Sequence, residues 1–398
     1  MSREQLIAMA RRHAAHAAAR TVDQAPDVAR IPVERYTDPE YYQRELAAVF
    51  KRLPLMLGFS CELAEPGSYK AIDVAGTPVL LTRDMSGTLR SFVNMCAHRG
   101  AQIMKEGCGK ARRFMCPYHA WTFDEKGALV GILDEAEFGE VDHATNGLTE
   151  LPVAERAGLI FGGVDPAGML DVDDWLQGYD GMLDFLGFDE CRVVGRNSVP
   201  GPNWKIAYDG YLDLYHLPIL HRETFGGEMP NKAVYDAWGP HQRVSMPMPG
   251  MEKMLDMPED DWPMEGLTAG VWTIFPHISI AAFDAGGKMY MVSQLFPGET
   301  VDQSVTHQYF LTPFDPDDEQ REKIDGMMAL LDRVVRDEDY YTGNRQQRAL
   351  ATGAREHVLF GRNEGGGQRF HAWVEQLLET ADADLPKLLN SKVGPIVA

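Results

Sequence analysis

Cys96-Ala97-His98-Arg99-Gly100 and, with 17 residues between His98 and its first cysteine, Cys116-Pro117-Tyr118-His119-Ala120-Trp121 are the stretches on which the reading of this chain turns. Each supplies one thiol and one imidazole, and each lies just beyond a run with strand character, so two turns can bring four soft or borderline ligands to one point. A structural zinc site uses the same residue types, but its usual spacing groups the two cysteines and then the two histidines. Here each loop offers one of each. That suits a [2Fe-2S] cluster with one iron on Cys96 and Cys116 and the other on His98 and His119. Two neutral imidazoles in place of thiolates raise the potential of such a cluster, so it accepts electrons from a reductant and hands them on.

Around these loops, from about residue 67 to 164, short alternating runs are split by turn residues: Tyr69 to Val74, Val79 to Thr82 and Leu89 to Asn94. Such a pattern predicts a small, mostly antiparallel sheet unit. Before it, residues 3 to about 21 read as an Ala-rich helix, docked rather than a transit peptide, and Pro26 and Pro32 bracket a linker to a helical segment from Asp38 to Phe50. After it, a helix opens at Asn203, strand-like runs cover Val271 to Phe283, Lys288 to Phe296 and Thr306 to Thr312, and Pro316-Asp317-Asp318-Glu319 starts a long helix reaching at least Asp339. The expected division is 1–40 for the N-terminal helix and linker, 41–165 for the cluster domain and 166–398 for a larger domain. The class is α+β: a small all-β unit with a larger unit of antiparallel sheet and helices.

The larger unit carries a second constellation, Asp213-Leu214-Tyr215-His216-Leu217-Pro218-Ile219-Leu220-His221. Imidazoles five residues apart point about 140 degrees away from each other on a regular helix, so a straight helix cannot chelate one ion with both. Pro218 is expected to kink or end the helix between them. Asp213, three residues before His216, is placed to accept its second ring proton or to link to another site. A carboxylate is the natural third ligand for a non-haem ferrous site with open positions. On the long helix, Asp339 continues the apolar stripe of Ile324, Met327, Met328, Leu331 and Val335; Glu338 borders that stripe and competes, while Asp337 is rotated away.

The two cluster loops resemble the Rieske motif, with Ala120 where glycine is frequent, and the second constellation resembles the catalytic domain of Rieske non-haem iron oxygenase α subunits. The Asp213, His216, His221 pattern, Asp339 followed by Gln347-Arg348-Ala349-Leu350, and the Phe360-Gly361-Arg362-Asn363-Glu364 run with His371 all match that family over about residues 40 to 375. Tyr208-Asp209 departs from it, several members having Glu-Asn there. The resemblance implies a helix-grip, START-like catalytic domain and Trp121 packed beside the cluster loops. It implies a [2Fe-2S] cluster on Cys96, His98, Cys116 and His119, and one mononuclear Fe(II) on His216, His221 and Asp339. NAD(P)H electrons are expected to arrive through a partner ferredoxin or flavin reductase. The implied assembly is a homotrimer, with or without a β subunit, in which His119 of one chain reaches His216 of the next through Asp213. The implied reaction is oxygenation of an apolar, aromatic substrate, with ring dihydroxylation favoured and monooxygenation or oxidative O- or N-demethylation as alternatives.

Composition bounds the rest. With 38 Lys and Arg against 59 Asp and Glu, a net charge of -21 argues against nucleic acid and anionic lipid as partners. No apolar run is long enough to span a bilayer and no secretory signal opens the chain, so a cytoplasmic location is expected. Five scattered cysteines, Cys61, Cys96, Cys108, Cys116 and Cys191, do not suggest a disulfide framework, and Cys108 reads as a packed thiol. Two other classes remain open beside the oxygenase: an iron-sulfur electron-transfer protein without mononuclear iron, and a zinc-stabilised binding module.

Overall fold

The alternating runs after residue 67 pair as an antiparallel sheet of five strands in the order Glu150–Leu151, Leu89–Val93, Thr77–Arg83, Ser68–Val74, Gly107–Lys110. The computed structural model describes residues 3–168, 171–226, 229–248 and 250–395. The first hairpin closes Val74 against Thr77 across Ala75 and Gly76, with φ of 50° and 84°. Two successive left-handed residues are what a two-residue type I′ hairpin needs to match the strand twist. A three-stranded sheet follows, Arg113–Met115, Thr122–Asp124 and Leu129–Gly131, and another joins Val153–Arg156, Leu159–Gly162 and Leu55–Phe59. These belong to one compact unit, residues 50–172 with 188–190. Its core gathers Phe92, Phe114, Trp121, Phe123 and Leu129 around Cys96 and Cys116. Cys108 is not a packed thiol: it sits on the edge strand Gly107–Lys110, where alternation turns it out to solvent, and its Sγ meets Glu62 Oε1 at 3.5 Å.

The other compact unit comprises residues 1–49, 173–187 and 191–398. Its helices are α1 (Arg3–Ala19), α2 (Trp204–Leu212), α3 (Leu217–Leu220), α4 (Asp318–Arg333), α5 (Tyr340–Leu350) and α6 (Gly365–Glu379), with shorter turns between them. Its sheet has seven antiparallel strands: β1 (Arg192–Gly201), β2 (Val234–Trp238), β3 (His241–Ser245), β4 (Val271–Ile274), β5 (Ile278–Asp284), β6 (Lys288–Pro297) and β7 (Ser304–Thr312), in the order β1-β7-β6-β5-β4-β3-β2. The single run expected over Val271 to Phe283 is thus two strands, folded back so that Ile274 pairs with Ile278. β1 is an edge strand, which is why it tolerates Gly195 and Pro200 and escapes a reading based on strand propensity.

α1 is a docked helix. It buries Leu6, Ile7, Ala10, His13 and Ala14, and it is fixed by charge: Arg12 donates to Asp23 at 2.6 Å and to Asp236 at 2.7 Å. Asp236 also accepts from the buried guanidinium of Arg243 at 2.9 Å. Burial alone would raise the Asp236 pKa, but Arg243, His13 and Arg12 outweigh it and hold the carboxylate ionised. Among the described residues no helix is long and apolar enough to cross a membrane.

Candidate metal centres

The two cluster loops are built alike. Cys96 follows the strand Leu89–Val93, and residues 116–121 span the hairpin whose strands pair Met115 with Thr122. In each loop the cysteine N–H donates to the carbonyl five residues on (Ala101, 2.8 Å; Trp121, 2.8 Å). In each, too, the cysteine carbonyl accepts from the amide four residues on (Gly100, 3.0 Å; Ala120, 3.0 Å). Closing such a loop puts that fourth residue in the left-handed region, at φ of 77° for Gly100 and 56° for Ala120. Ala120 therefore keeps the loop geometry at some backbone cost, since a Cβ disfavours that conformation.

Cys96 and Cys116 are buried, free thiols, whereas His98 and His119 are partly exposed. The imidazole centroids lie 4.8 Å apart, and His98 stacks on Trp121 at 4.9 Å with ring planes 10° apart. Nδ1 of His119 is buried and meets no hydrogen-bond partner among the described residues. A buried ring nitrogen is rarely left in this way unless something else satisfies it. Two buried thiols and two imidazoles at one tip, with that orphan nitrogen, fit a two-iron cluster held by sulfur within and nitrogen without.

The second centre lies wholly in the other unit. Asn203 caps α2, its side chain accepting from the Lys205 amide at 2.9 Å, and the helix ends at Leu212. Asp213 is already extended, at φ −113° and ψ 116°. The helix therefore breaks before His216 and not between the two histidines as Pro218 led us to expect. Pro218 falls in the first turn of the new helix α3, where its missing amide donor costs nothing. His216 and His221 flank that single turn, and their ring centroids lie 5.1 Å apart.

Asp339 closes the set. The long helix expected there is interrupted: after α4 the residues Val334–Asp339 wind as a π-helix before α5 begins. An inserted π-turn is frequent at functional sites because it redirects a side chain without ending the helix. Asp339 Oδ1 lies 3.1 Å from His221 Nε2 and 3.7 Å from His216 Nε2. Ligand atoms of all three residues fall within 4.8 Å of one another, a donor set that could hold a metal ion. Both outer ring nitrogens are occupied by other carboxylates: His216 Nδ1 meets Asp213 at 3.1 Å, and His221 Nδ1 meets Glu338 at 2.6 Å. Such partners fix ring orientation and tautomer, leaving both Nε2 atoms to one centre. Burial disfavours the charged form of His221, yet Asp339 and Glu338 outweigh it and lift its pKa above the ordinary value. Glu338 also accepts from the Thr224 hydroxyl at 2.5 Å, so the rival for the third position lies behind His221 instead. Sequence spacing carried no signal for that role, because Thr224 and Glu338 meet only in the folded chain.

An apolar cavity of about 700 Å³ opens on these three residues. The strands contribute Val244, Val271, Ala281 and Met291, and the helical face opposite contributes Met327 and Leu331. Trp272 on β4 is buried away from it against Tyr179 and Trp238, whereas Phe283 on β5 lines the cavity.

Comparison with known proteins agrees with this architecture. A Rieske [2Fe-2S] domain model matches residues 54–142, and a model of the ring hydroxylating alpha subunit (catalytic domain) matches residues 188–380. Choline monooxygenase of Beta vulgaris is 27% identical over 87% of this chain and 77% of its own length. Chlorobenzene dioxygenase subunit alpha of Cupriavidus sp. is 35% identical over 46% of this chain and 42% of its own. For several such relatives the chain spans about half their length, as with the glycine betaine monooxygenase oxygenase subunit of Chromohalobacter salexigens (29% identical over 48% of this chain and 43% of that protein). Among solved structures, the quaternary ammonium Rieske monooxygenase CntA superposes with a TM-score of 0.75 at 23% identity, covering 88% of this chain and 96% of that one. Naphthalene 1,2-dioxygenase from Rhodococcus sp. does so at 0.72 and 20% identity, over 95% and 99%. With the two domain models covering well over half of the sequence, and oxygenase subunits of this kind among its relatives, the chain belongs to the Rieske oxygenase α-subunit family.

Proposed function

We propose that this protein is the terminal component of an oxygenase system that inserts one atom of dioxygen into an apolar substrate that carries no carboxylate. In this reading Cys96, His98, Cys116 and His119 hold the [2Fe-2S] cluster, and His216, His221 and Asp339 hold one ferrous iron. When bound, the cluster relays single electrons from a reductase or ferredoxin, and the iron binds and activates dioxygen at its open positions. The protein's own residues do the rest. Asp213 and Glu338 hold the two imidazoles in register, and the apolar cavity positions the substrate and excludes bulk water.

The observation that carries the substrate class is the cavity lining. Among the described residues it includes no Lys or Arg, so a substrate carboxylate would be buried without a counter-charge, which is costly. That argues against inner salts such as carnitine or glycine betaine, on which some relatives act by name. One-atom insertion is supported better than ring dihydroxylation, because the relative aligned over most of the chain and the CntA structures are monooxygenases. An electron-transfer role without mononuclear iron leaves the three-residue donor set and its cavity without a purpose.

A trimer passing electrons from the cluster of one chain to the iron of the next, through Asp213, is part of the same proposal. The inter-subunit step is supported by a solved quaternary ammonium Rieske monooxygenase structure described as revealing inter-subunit electron transfer. The test is turnover under ¹⁸O₂ with a surrogate reductase and a panel of apolar compounds. The expected product carries one labelled oxygen; a cis-diol carrying two, or turnover confined to carboxylated amines, overturns the reading.

A further inference from the structure

Two of the three ligands, His216 and Asp339, also border a second cavity of different character. It has a volume of about 230 Å³ and is lined by Tyr36, Asp209, Asp213, His216, Asp339 and Glu364, among others. We propose that this polar cavity delivers protons to the oxygen-activating centre, with Asp209, backed by Tyr36 and His371, as the relaying group. The inference rests on the oxygenase reading above.

Stoichiometry creates the need. Inserting one oxygen atom breaks a substrate C–H bond, forms C–O–H and releases the second oxygen as water: RH + O₂ + 2e⁻ + 2H⁺ gives ROH + H₂O. The electrons come from a reductase through the cluster; the two protons must come from solvent. The large cavity is poorly suited to bring them, since its lining is mostly Leu, Val, Met and Ala. The smaller one has room for several waters and carries acids on its walls.

Polar groups gather at its wall and behind it. Lys205, Asp209 and Asp213 recur every fourth residue along α2 and just past its end, so they lie on one side of the helix. At the far end Lys205 is fully buried against Glu45 at 2.5 Å, and Glu45 also accepts from the Trp204 indole at 2.9 Å. In the middle, the Tyr36 hydroxyl donates to Asp209 at 3.1 Å, and Nε2 of His371 lies 2.9 Å from that hydroxyl and 3.0 Å from Asp209. Tyr36 and His371 are each 1% exposed. Three exchangeable groups within hydrogen-bond reach of one another, at the wall of a polar cavity, can hold a proton and refill from one another. The charged and titratable groups around Asp209 are Lys205 on α2 and Asp213 just past its end, Arg35, Tyr36 and Glu45 from the N-terminal segment, and Glu364 and His371 at α6.

The test compares wild type with Asp209→Asn and Asp209→Glu, all loaded with cluster and iron. Product formed per dioxygen consumed is expected to fall about tenfold in Asp209→Asn, with peroxide rising in its place, and to recover in Asp209→Glu. The solvent deuterium isotope effect on turnover is expected to change in the same variant, while iron content and the reduced-cluster paramagnetic signal stay as in wild type. In protein without mononuclear iron, the ¹⁵N resonance of His371 Nε2 is expected to shift in Asp209→Asn. Should that variant lose iron, Tyr36→Phe carries the same measurements. Unchanged coupling and isotope effect in both variants overturn the relay while leaving the oxygenase reading intact; a wild type that consumes no dioxygen overturns both.

Discussion

Glu338 Oε2 lies 2.6 Å from Nδ1 of His221, on the side of the ring away from Asp339. Two neighbouring acids on one helical segment thus do different work: one faces the metal position and the other orients the imidazole that shares it. Glu338→Gln keeps the shape but weakens the acceptor, so mononuclear iron affinity is expected to fall about 10- to 100-fold with the cluster unaffected. Iron titration of the apo centre, followed by chelator competition, measures it. An unaltered affinity would mean that Glu338 merely fills space.

Asp339→Ala removes the only carboxylate within reach of both Nε2 atoms among the described residues. Iron content is expected to drop from about three to about two atoms per chain, with two acid-labile sulfides retained. Retention of the third iron would send the search for the ligand elsewhere.

Asp213→Ala is expected to leave both metals bound and to abolish nearly all turnover, because the residue orients His216 and stands on the proposed electron route. Stopped-flow oxidation of the reduced cluster separates the two roles. Slow reoxidation with normal iron binding marks the route; fast reoxidation with weakened iron binding marks orientation alone.

Ala120 sits at φ 56° in a loop whose twin carries Gly100 at 77°. Replacing Ala120 with Gly relieves a left-handed Cβ, offset in part by greater freedom of the unfolded chain, for a net gain of up to about 1 kcal/mol. Denaturant unfolding of the cluster-loaded protein tests this. A loss of stability would show that the Ala120 methyl makes packing contacts worth more than the strain.

His241 gives a pH dependence whose sign follows from its hydrogen bonds. Its Nε2–H donates to the Trp175 carbonyl at 3.0 Å, while Nδ1 accepts from the Phe275 amide at 3.1 Å, so both nitrogens are committed in the neutral form. Burial pushes its pKa down to about 3. The unfolded chain binds this proton near pH 6.5 and the folded one does not. The contribution to stability is therefore complete above about pH 6.5 and is lost as the pH falls toward 3, with a limiting slope of about 1.4 kcal/mol per pH unit. His241→Gln should flatten the stability profile between pH 6.5 and 4; equal slopes in both proteins would contradict the assignment.

Much of this was legible in the sequence because the ligands are local. Cys96 with His98, Cys116 with His119, and His216 with His221 lie within a few residues of each other, so spacing alone carries their grouping. Strands such as Lys288–Pro297 and Ser304–Thr312 were legible for a related reason: each is a short run rich in apolar, β-branched or aromatic residues between turn signals, and it is buried along nearly its whole length. Where the chain had to choose between equivalent local options, spacing failed. Pro218 looked like a break between two ligands and proved to start a helix, because the break belongs to Asp213, whose carboxylate turns back to the Tyr215 amide.

The sequence by itself determined which side chains are available to bind metal, the sheet-and-helix class of the chain and its net negative charge, since these follow from residue types and short-range periodicity. Only the tertiary structure decided that Asp339 and not Glu338 faces the two histidines, that Glu338 supports His221 from behind, and that an apolar and a polar cavity share His216 and Asp339. The reason is distance along the chain. These relationships join residues more than a hundred positions apart, and a π-turn that shifts the helical phase cannot be read from a periodicity that assumes 3.6 residues per turn.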